Sequence, residues 1–193
     1  PRLCPINIWG PFENLSIIRK GKPFSDDAII KINPETGKVL FKKSVSTILL
    51  ENKIFYDSDI YMSTDPIHLN DIQPVYNDGP FWKKGDVFLS LLRNSSILHY
   101  RPETNELINF IKGPFFEQHD IDILSENEIS IFNNNNSLMN DKKFSELLVY
   151  NLETKRFKKI LSKQLESKSF KTETEGLADF SKDGSIMTEE TNG

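Results

Sequence analysis

The chain holds only three histidines, and two of them stand at matching places. His68 lies just ahead of the short β-type run Asp71-Ile72-Gln73-Pro74-Val75. His119 lies just ahead of Asp120-Ile121-Asp122-Ile123-Leu124. Arg93 falls between them, directly after a run of strand-forming residues that ends in Leu91-Leu92. An imidazole near neutral pH is a nucleophile or a general acid–base, and a guanidinium grips an oxyanion through paired hydrogen bonds. Two imidazoles and a guanidinium meeting in a concave site would suit the transfer of an anionic group. Taken singly, each has an ordinary reading, since a His or Arg at a strand end is commonly solvated or bonded to a turn. Placement decides between the two readings.

The elements that must do the placing are short. Runs at residues 16–19, 28–33, 38–42, 72–75, 86–92, 97–101, 106–111, 120–124, 128–132 and 147–151 have the length and β-branched or aromatic content of strands. Two helical patterns interrupt them. Residues 44–53 carry Val45, Ile48 and Leu49 at helical spacing with Ser44 as N-cap, and residues 158–166 carry Ile160, Leu161 and Leu165.

Two hairpin units alternate along the chain. The first reads Ile32-Asn33-Pro34-Glu35-Thr36-Gly37-Lys38 and returns as Tyr100-Arg101-Pro102-Glu103-Thr104-Asn105-Glu106 and Tyr150-Asn151-Leu152-Glu153-Thr154-Lys155-Arg156. Each copy is a strand, a polar turn on Glu-Thr and a second strand. The second unit pairs the runs after His68 and His119 with those at 85–89 and 127–132, and again joins Gly176-Leu177-Ala178-Asp179-Phe180 to Asp183-Gly184-Ser185-Ile186-Met187. Two hairpins every ~50 residues make four strands per unit, the pattern of a β-propeller blade. The expectation is all-β: a β-propeller fragment of about three four-stranded blades with short helical insertions. The whole of 1–193 then belongs to one propeller domain, with blades near 1–67, 68–118 and an incomplete 119–193. Three units do not close a ring, so the chain reads as an excerpt. The competing fold is a β-sandwich with coincidental turn likeness.

In a blade, the start of one antiparallel strand lies beside the end of its partner. His68, Arg93 and His119 therefore belong at the same mouth of the ring. The run Asn133–Asn136 follows a return strand where Arg93 does in the preceding unit and could bring amides to the mouth, Asn133 foremost; Glu175 occupies the repeat position of His119 and is a further candidate for lining it. Asp71 and Asp120 are expected to bond backbone amides, His99 to be a strand surface residue, and Trp82 to pack on the neighbouring hairpin.

Composition excludes several functions. Lys+Arg is 24 against Asp+Glu 28, a net charge of -4 with pI about 5.5, and no basic block offers a footprint for nucleic acid. No apolar run approaches the ~20 residues of a membrane helix, and no leader is visible at Pro1. Cys4 is the only cysteine, which excludes an internal disulfide and a cysteine-rich zinc site. No metal-ligand cluster is visible.

The run His68-Leu69-Asn70-Asp71-Ile72, the run Phe81-Trp82-Lys83-Lys84-Gly85-Asp86-Val87-Phe88-Leu89-Ser90 and the run Gly113-Pro114-Phe115-Phe116-Glu117-Gln118-His119-Asp120 resemble bacterial arylsulfotransferases, six-bladed propeller enzymes that use no nucleotide sulfate donor. Glu175-Gly176 with Asp183-Gly184-Ser185 resembles the next blade of those proteins. The likeness is fullest from about residue 65 to 193. It implies transfer of a sulfuryl group from a small aryl sulfate to a phenolic acceptor by a ping-pong route, without a cofactor. His119 matches the nucleophile, His68 and Arg93 match residues that hold the sulfate oxygens, and the His-Asn-Asp segment adds Asn70 as a candidate for substrate binding. The resemblance also implies a periplasmic or otherwise exported protein. Residues 1–67 contain no histidine to match a further one found in an earlier blade of the family. A non-catalytic propeller, binding a ligand or a protein partner at the same mouth, is the alternative.

Overall fold

The strand-forming runs pair with their sequence neighbours throughout, so every sheet is antiparallel. The computed structural model describes residues 25–54, 64–136 and 144–190 and the backbone of Ile6–Ile8. The run at 16–19 and Cys4 lie outside the described residues. Strands β1 (Ile6–Ile8), β2 (Asp26–Ile32) and β3 (Val39–Ser44) form a three-stranded sheet. β4 (Leu69–Pro74), β5 (Val87–Leu91), β6 (Ser96–Arg101) and β7 (Glu106–Lys112) form a four-stranded meander. β8 (His119–Ile123), β9 (Glu128–Asn133), β10 (Glu146–Asn151) and β11 (Arg156–Ile160) form another, and β12 (Ala178–Phe180) pairs with β13 (Ile186–Thr188) in a separate sheet. The stretch from 119 to the end thus carries one full four-stranded sheet and a further hairpin. The protein is all-β, a propeller fragment, and its described residues include two short helices.

Three apolar layers lie between successive sheets. Side chains alternate across a strand. Val87, Leu89 and Leu91 of β5 face Ile29, Ile48 and Leu49 on one side. Phe88 of the same strand faces Ile121, Ile129 and Ile131 on the other. All five residues of β5 are buried, because both faces of the strand are covered. A third layer joins Phe132 and Leu147 to Phe170 and Ala178.

The Glu-Thr turns behave alike. Gly37, Asn105 and Lys155 take the same left-handed place, with φ of 68°, 56° and 56°. Asn33 and Asn151 brace their turns through Oδ1, which accepts from the Thr36 and Thr154 amides at 3.0 and 2.8 Å.

Helix α1 (Val45–Glu51) starts where its cap predicts: Ser44 Oγ accepts from Thr47 N at 3.1 Å. The second helical pattern is only partly realised. Residues 156–160 pair with β10, and helix α2 (Ser162–Ser167) follows Leu161, whose φ is 51°. A pairing partner outweighs helical spacing over those residues.

His99 corrects an expectation. It is 0% exposed, not a surface residue. Its ring stacks on Phe88 at 4.5 Å, and its Nε2 bonds Asp86 Oδ2 at 3.0 Å. The sequence pattern placed His99 on an outer hairpin, but the next sheet covers that face. Trp82 packs edge-to-face on Phe88 at 6.0 Å, a residue of the same β4–β5 hairpin whose loop carries it.

Candidate functional site

The first site residue is set by a kink. β4 enters its sheet through His68, whose φ is 54°, and its pairing with β5 slips by one residue between Leu69 and Asp71. β8 repeats the slip between His119 and Ile121, with Asp120 at φ 37°. Each slip is a bulge that re-aims the side chains around it. Such positive-φ residues are uncommon outside glycine. Here His68, Glu117, Asp120, Asn135 and Glu175 all lie at this one end of the sheets. Strain collected in one place is a signature of a functional site.

The bulges carry a set of clasps between sheets. Gln118, fully buried, donates from Nε2 to Ser90 Oγ at 3.0 Å and to the Ser96 and Leu91 carbonyls at 3.1 and 3.2 Å. Asp120 accepts the Ala178 amide at 2.7 Å, and Asp71 accepts that of Ile121 at 2.8 Å. Asp27 does the same for Leu69 at 2.7 Å. Asn70 gives its amide to the Gln118 carbonyl at 2.7 Å, and no donor among the described residues reaches its Oδ1. Gln118 therefore reaches back a sheet and Asp120 reaches forward one. His119 stands between two anchors.

His68 is half-buried and bonds Asp65 Oδ2 through Nδ1 at 2.5 Å. Its carbonyl accepts from Leu92 N at 3.0 Å, so His68 sits beside the turn that carries Arg93. β5 ends at Leu91, which puts Arg93 in the turn to β6 rather than on the strand. The Arg93 guanidinium, 44% exposed, reaches Glu117 Oε1 at 3.3 Å, and the Glu117 carbonyl lies 3.2 Å from His119 Nδ1. Asn134 Oδ1 lies 2.9 Å from the same nitrogen.

His119 is held below the ordinary histidine value of 6.5. Burial is the main cause and the charge of His68 adds to it, while the bonds to Asn134 and the Glu117 carbonyl pull the other way. His68, Arg93 and His119 thus lie at the same end of their sheets, linked through Leu92 and Glu117.

Two residues not evident from the sequence adjoin it, Asp65 against His68 and Glu117 against Arg93, and Asn134 of the Asn-run contacts His119. Lys171 donates to the Asn134 carbonyl at 2.8 Å, and burial lowers its pKa. Asn133, the candidate from the repeat, spends its side chain on the loop: Oδ1 accepts from Phe116 N at 2.9 Å and Asn135 N at 3.0 Å. The carboxylate-bearing residue Glu175 is exposed, and its carbonyl accepts from Asn134 Nδ2 at 2.7 Å. The run of four consecutive amides after a return strand is the sequence signal that includes Asn134.

A cavity of about 600 Å³ opens elsewhere, between the first two sheets at the far end of β4, where Ile29, Phe41, Ile72 and Tyr76 line it. None of the three mouth residues borders it. Among the described residues no cluster of His, Cys, Asp and Glu is placed to hold a metal ion, and no helix is long and apolar enough to cross a membrane.

A family model described as Arylsulfotransferase (ASST) matches residues 14–193. No curated protein and no solved structure matches the chain.

Proposed function

The chain belongs to the arylsulfotransferase family, and on that premise we propose that it moves a sulfuryl group from an aryl sulfate to a phenolic acceptor through a sulfohistidine at His119. The observation that supports this most is that a half-buried imidazole, a second imidazole and an exposed guanidinium lie at one strained end of the sheets, linked through Leu92 and Glu117.

The chemistry follows from the charges. Sulfuryl transfer, like phosphoryl transfer, spreads negative charge over equatorial oxygens and a phenoxide leaving group. Arg93 and His68 meet those oxygens. The contact between Arg93 and Glu117 is long and exposed, so an incoming oxyanion competes with it readily. In the first half-reaction a nitrogen of His119 forms a bond to sulfur as the S–O bond to the aryl group breaks and phenoxide leaves. In the second, the oxygen of an acceptor phenoxide forms its bond to sulfur as the N–S bond breaks, and that electron pair returns to the imidazole. Splitting the transfer in two replaces one difficult displacement by two easier ones.

The test supplies the full-length protein with 4-nitrophenyl sulfate and a phenol. Acceptor-dependent release of nitrophenol that His119→Ala abolishes supports the assignment. No release, or release unchanged by His119→Ala, overturns it in favour of a binding propeller.

A further inference from the structure

Asn134 is fully buried, and its amide orientation is dictated by its surroundings. Nδ2 faces two backbone carbonyls, Glu175 O at 2.7 Å and Thr172 O at 3.1 Å. A carbonyl only accepts, so the nitrogen end of the amide must lie there. Oδ1 is then left to face His119 Nδ1 at 2.9 Å, and the Glu117 carbonyl approaches the same nitrogen at 3.2 Å. Two oxygens that can only accept converge on one ring nitrogen.

We infer that Asn134 is a positioning residue that keeps the proton of neutral His119 on Nδ1 and so makes Nε2 the attacking nitrogen; this deepens the sulfuryl-transfer reading and rests on it. The tautomer of a histidine is set by the bond its other nitrogen makes. Burial favours the neutral ring, in which one nitrogen carries a lone pair. The step balances. The Nε2 lone pair forms the N–S bond, the S–O(aryl) bond breaks and phenoxide takes that pair. The Nδ1 proton stays in place, so the sulfonated ring is an imidazolium whose charge faces the Asn134 and Glu117 oxygens. When the acceptor, as its phenoxide, bonds sulfur through oxygen, the N–S bond breaks and its pair returns to Nε2.

The carbonyls that orient Asn134 belong to the segment entering β12, so the next sheet takes part in setting the nucleophile. That segment is itself fixed. Thr172 N donates to Ser145 Oγ at 3.0 Å and Thr172 Oγ1 to the Glu189 carbonyl at 3.1 Å. Gly176 has φ of 100° and passes so close to Phe132 that a Cβ there would sit 2.5 Å from the ring. Only glycine allows the Glu175 carbonyl to arrive where it does.

The experiment is ring nitrogen NMR on the full-length protein with 15N-labelled histidine, the His119 signal being assigned by its loss in His119→Gln. The expected spectrum shows Nδ1 protonated and Nε2 unprotonated. Asn134→Ala should move the proton partly to Nε2 and lower kcat/KM about tenfold or more. Asn134→Asp keeps an acceptor, so the Nδ1–H tautomer persists, while its charge raises the midpoint of the His119 titration. A wild-type ring protonated on Nε2 overturns the proposal. So does an unchanged tautomer in folded Asn134→Ala, or an unshifted titration in folded Asn134→Asp. The tautomer is read whether or not aryl sulfate turns over, so failure of the enzymatic reading is distinguished from failure of this one.

Discussion

Asp120 accepts the backbone amide of Ala178 at 2.7 Å, linking the first strand of one sheet to the first strand of the next. Asp71 repeats the link to Ile121. A buried amide left without an acceptor costs about 1–3 kcal/mol. Asp120→Ala should therefore lower unfolding stability in urea by about that much. Asp120→Asn, which keeps an acceptor, should lose less.

Asp27 makes the corresponding link to Leu69 but is almost wholly buried, and burial pushes its carboxyl up to about 6. Its unfolded value is near 3.8. A group whose folded pKa is raised stabilises fully below the unfolded value and loses that contribution as pH rises through the folded one. Between pH 4 and 7 the ionisation of Asp27 should cost up to about 3 kcal/mol. Asp27→Asn accepts the same amide without ionising, so its thermal stability should fall less than wild type's over that window, as measured by melting at fixed ionic strength.

The buried cluster behind β6 gives a sharper stability test. Arg101 holds Asp86 with two bonds of 2.8 Å, and His99 adds a third contact. Burial pushes the Asp86 carboxyl up, but the bonds from Arg101, Lys83 N and His99 outweigh it, and the net shift is downward. Removing one partner of a buried charge pair costs about 3–5 kcal/mol. Asp86→Ala should do so by denaturant unfolding while leaving the mouth residues in place.

Much of this architecture was legible in advance. The Glu-Thr turns and the paired runs after His68 and His119 are local patterns, and strands follow them closely. The N-cap at Ser44 is local too. His99 was not legible, because its burial depends on which sheet packs over β6, and no local spacing encodes that. Residues 158–160 failed for a similar reason: their helical spacing yields to a strand partner 10 residues or so away. The site divides in the same way. Position in the repeat puts His68, Arg93 and His119 at one end of the sheets. It puts the run Asn133–Asn136 there too, but only the end of β9 and the loop after it decide that Asn134, not Asn133, turns toward His119.

The protonation of His119 sets the pH dependence. A nucleophilic imidazole must be neutral, and burial holds its pKa below 6.5. Activity should rise with pH through that lowered value and be flat above 6.5, as measured by kcat/KM for aryl sulfate. The depressed pKa also means that His119 contributes stability above 6.5 and loses it as pH falls. His119→Gln should reduce that acid sensitivity.

The most direct measurement is to trap the intermediate. Full-length protein is incubated with aryl sulfate in the absence of acceptor, quenched at alkaline pH, where N-linked sulfuryl groups survive better than in acid, digested and sequenced by mass spectrometry. A sulfuryl adduct is expected on the peptide carrying His119, discharged by adding a phenol and absent from His119→Ala. An adduct on another residue, or turnover with no adduct in a rapid-quench time course, would contradict it.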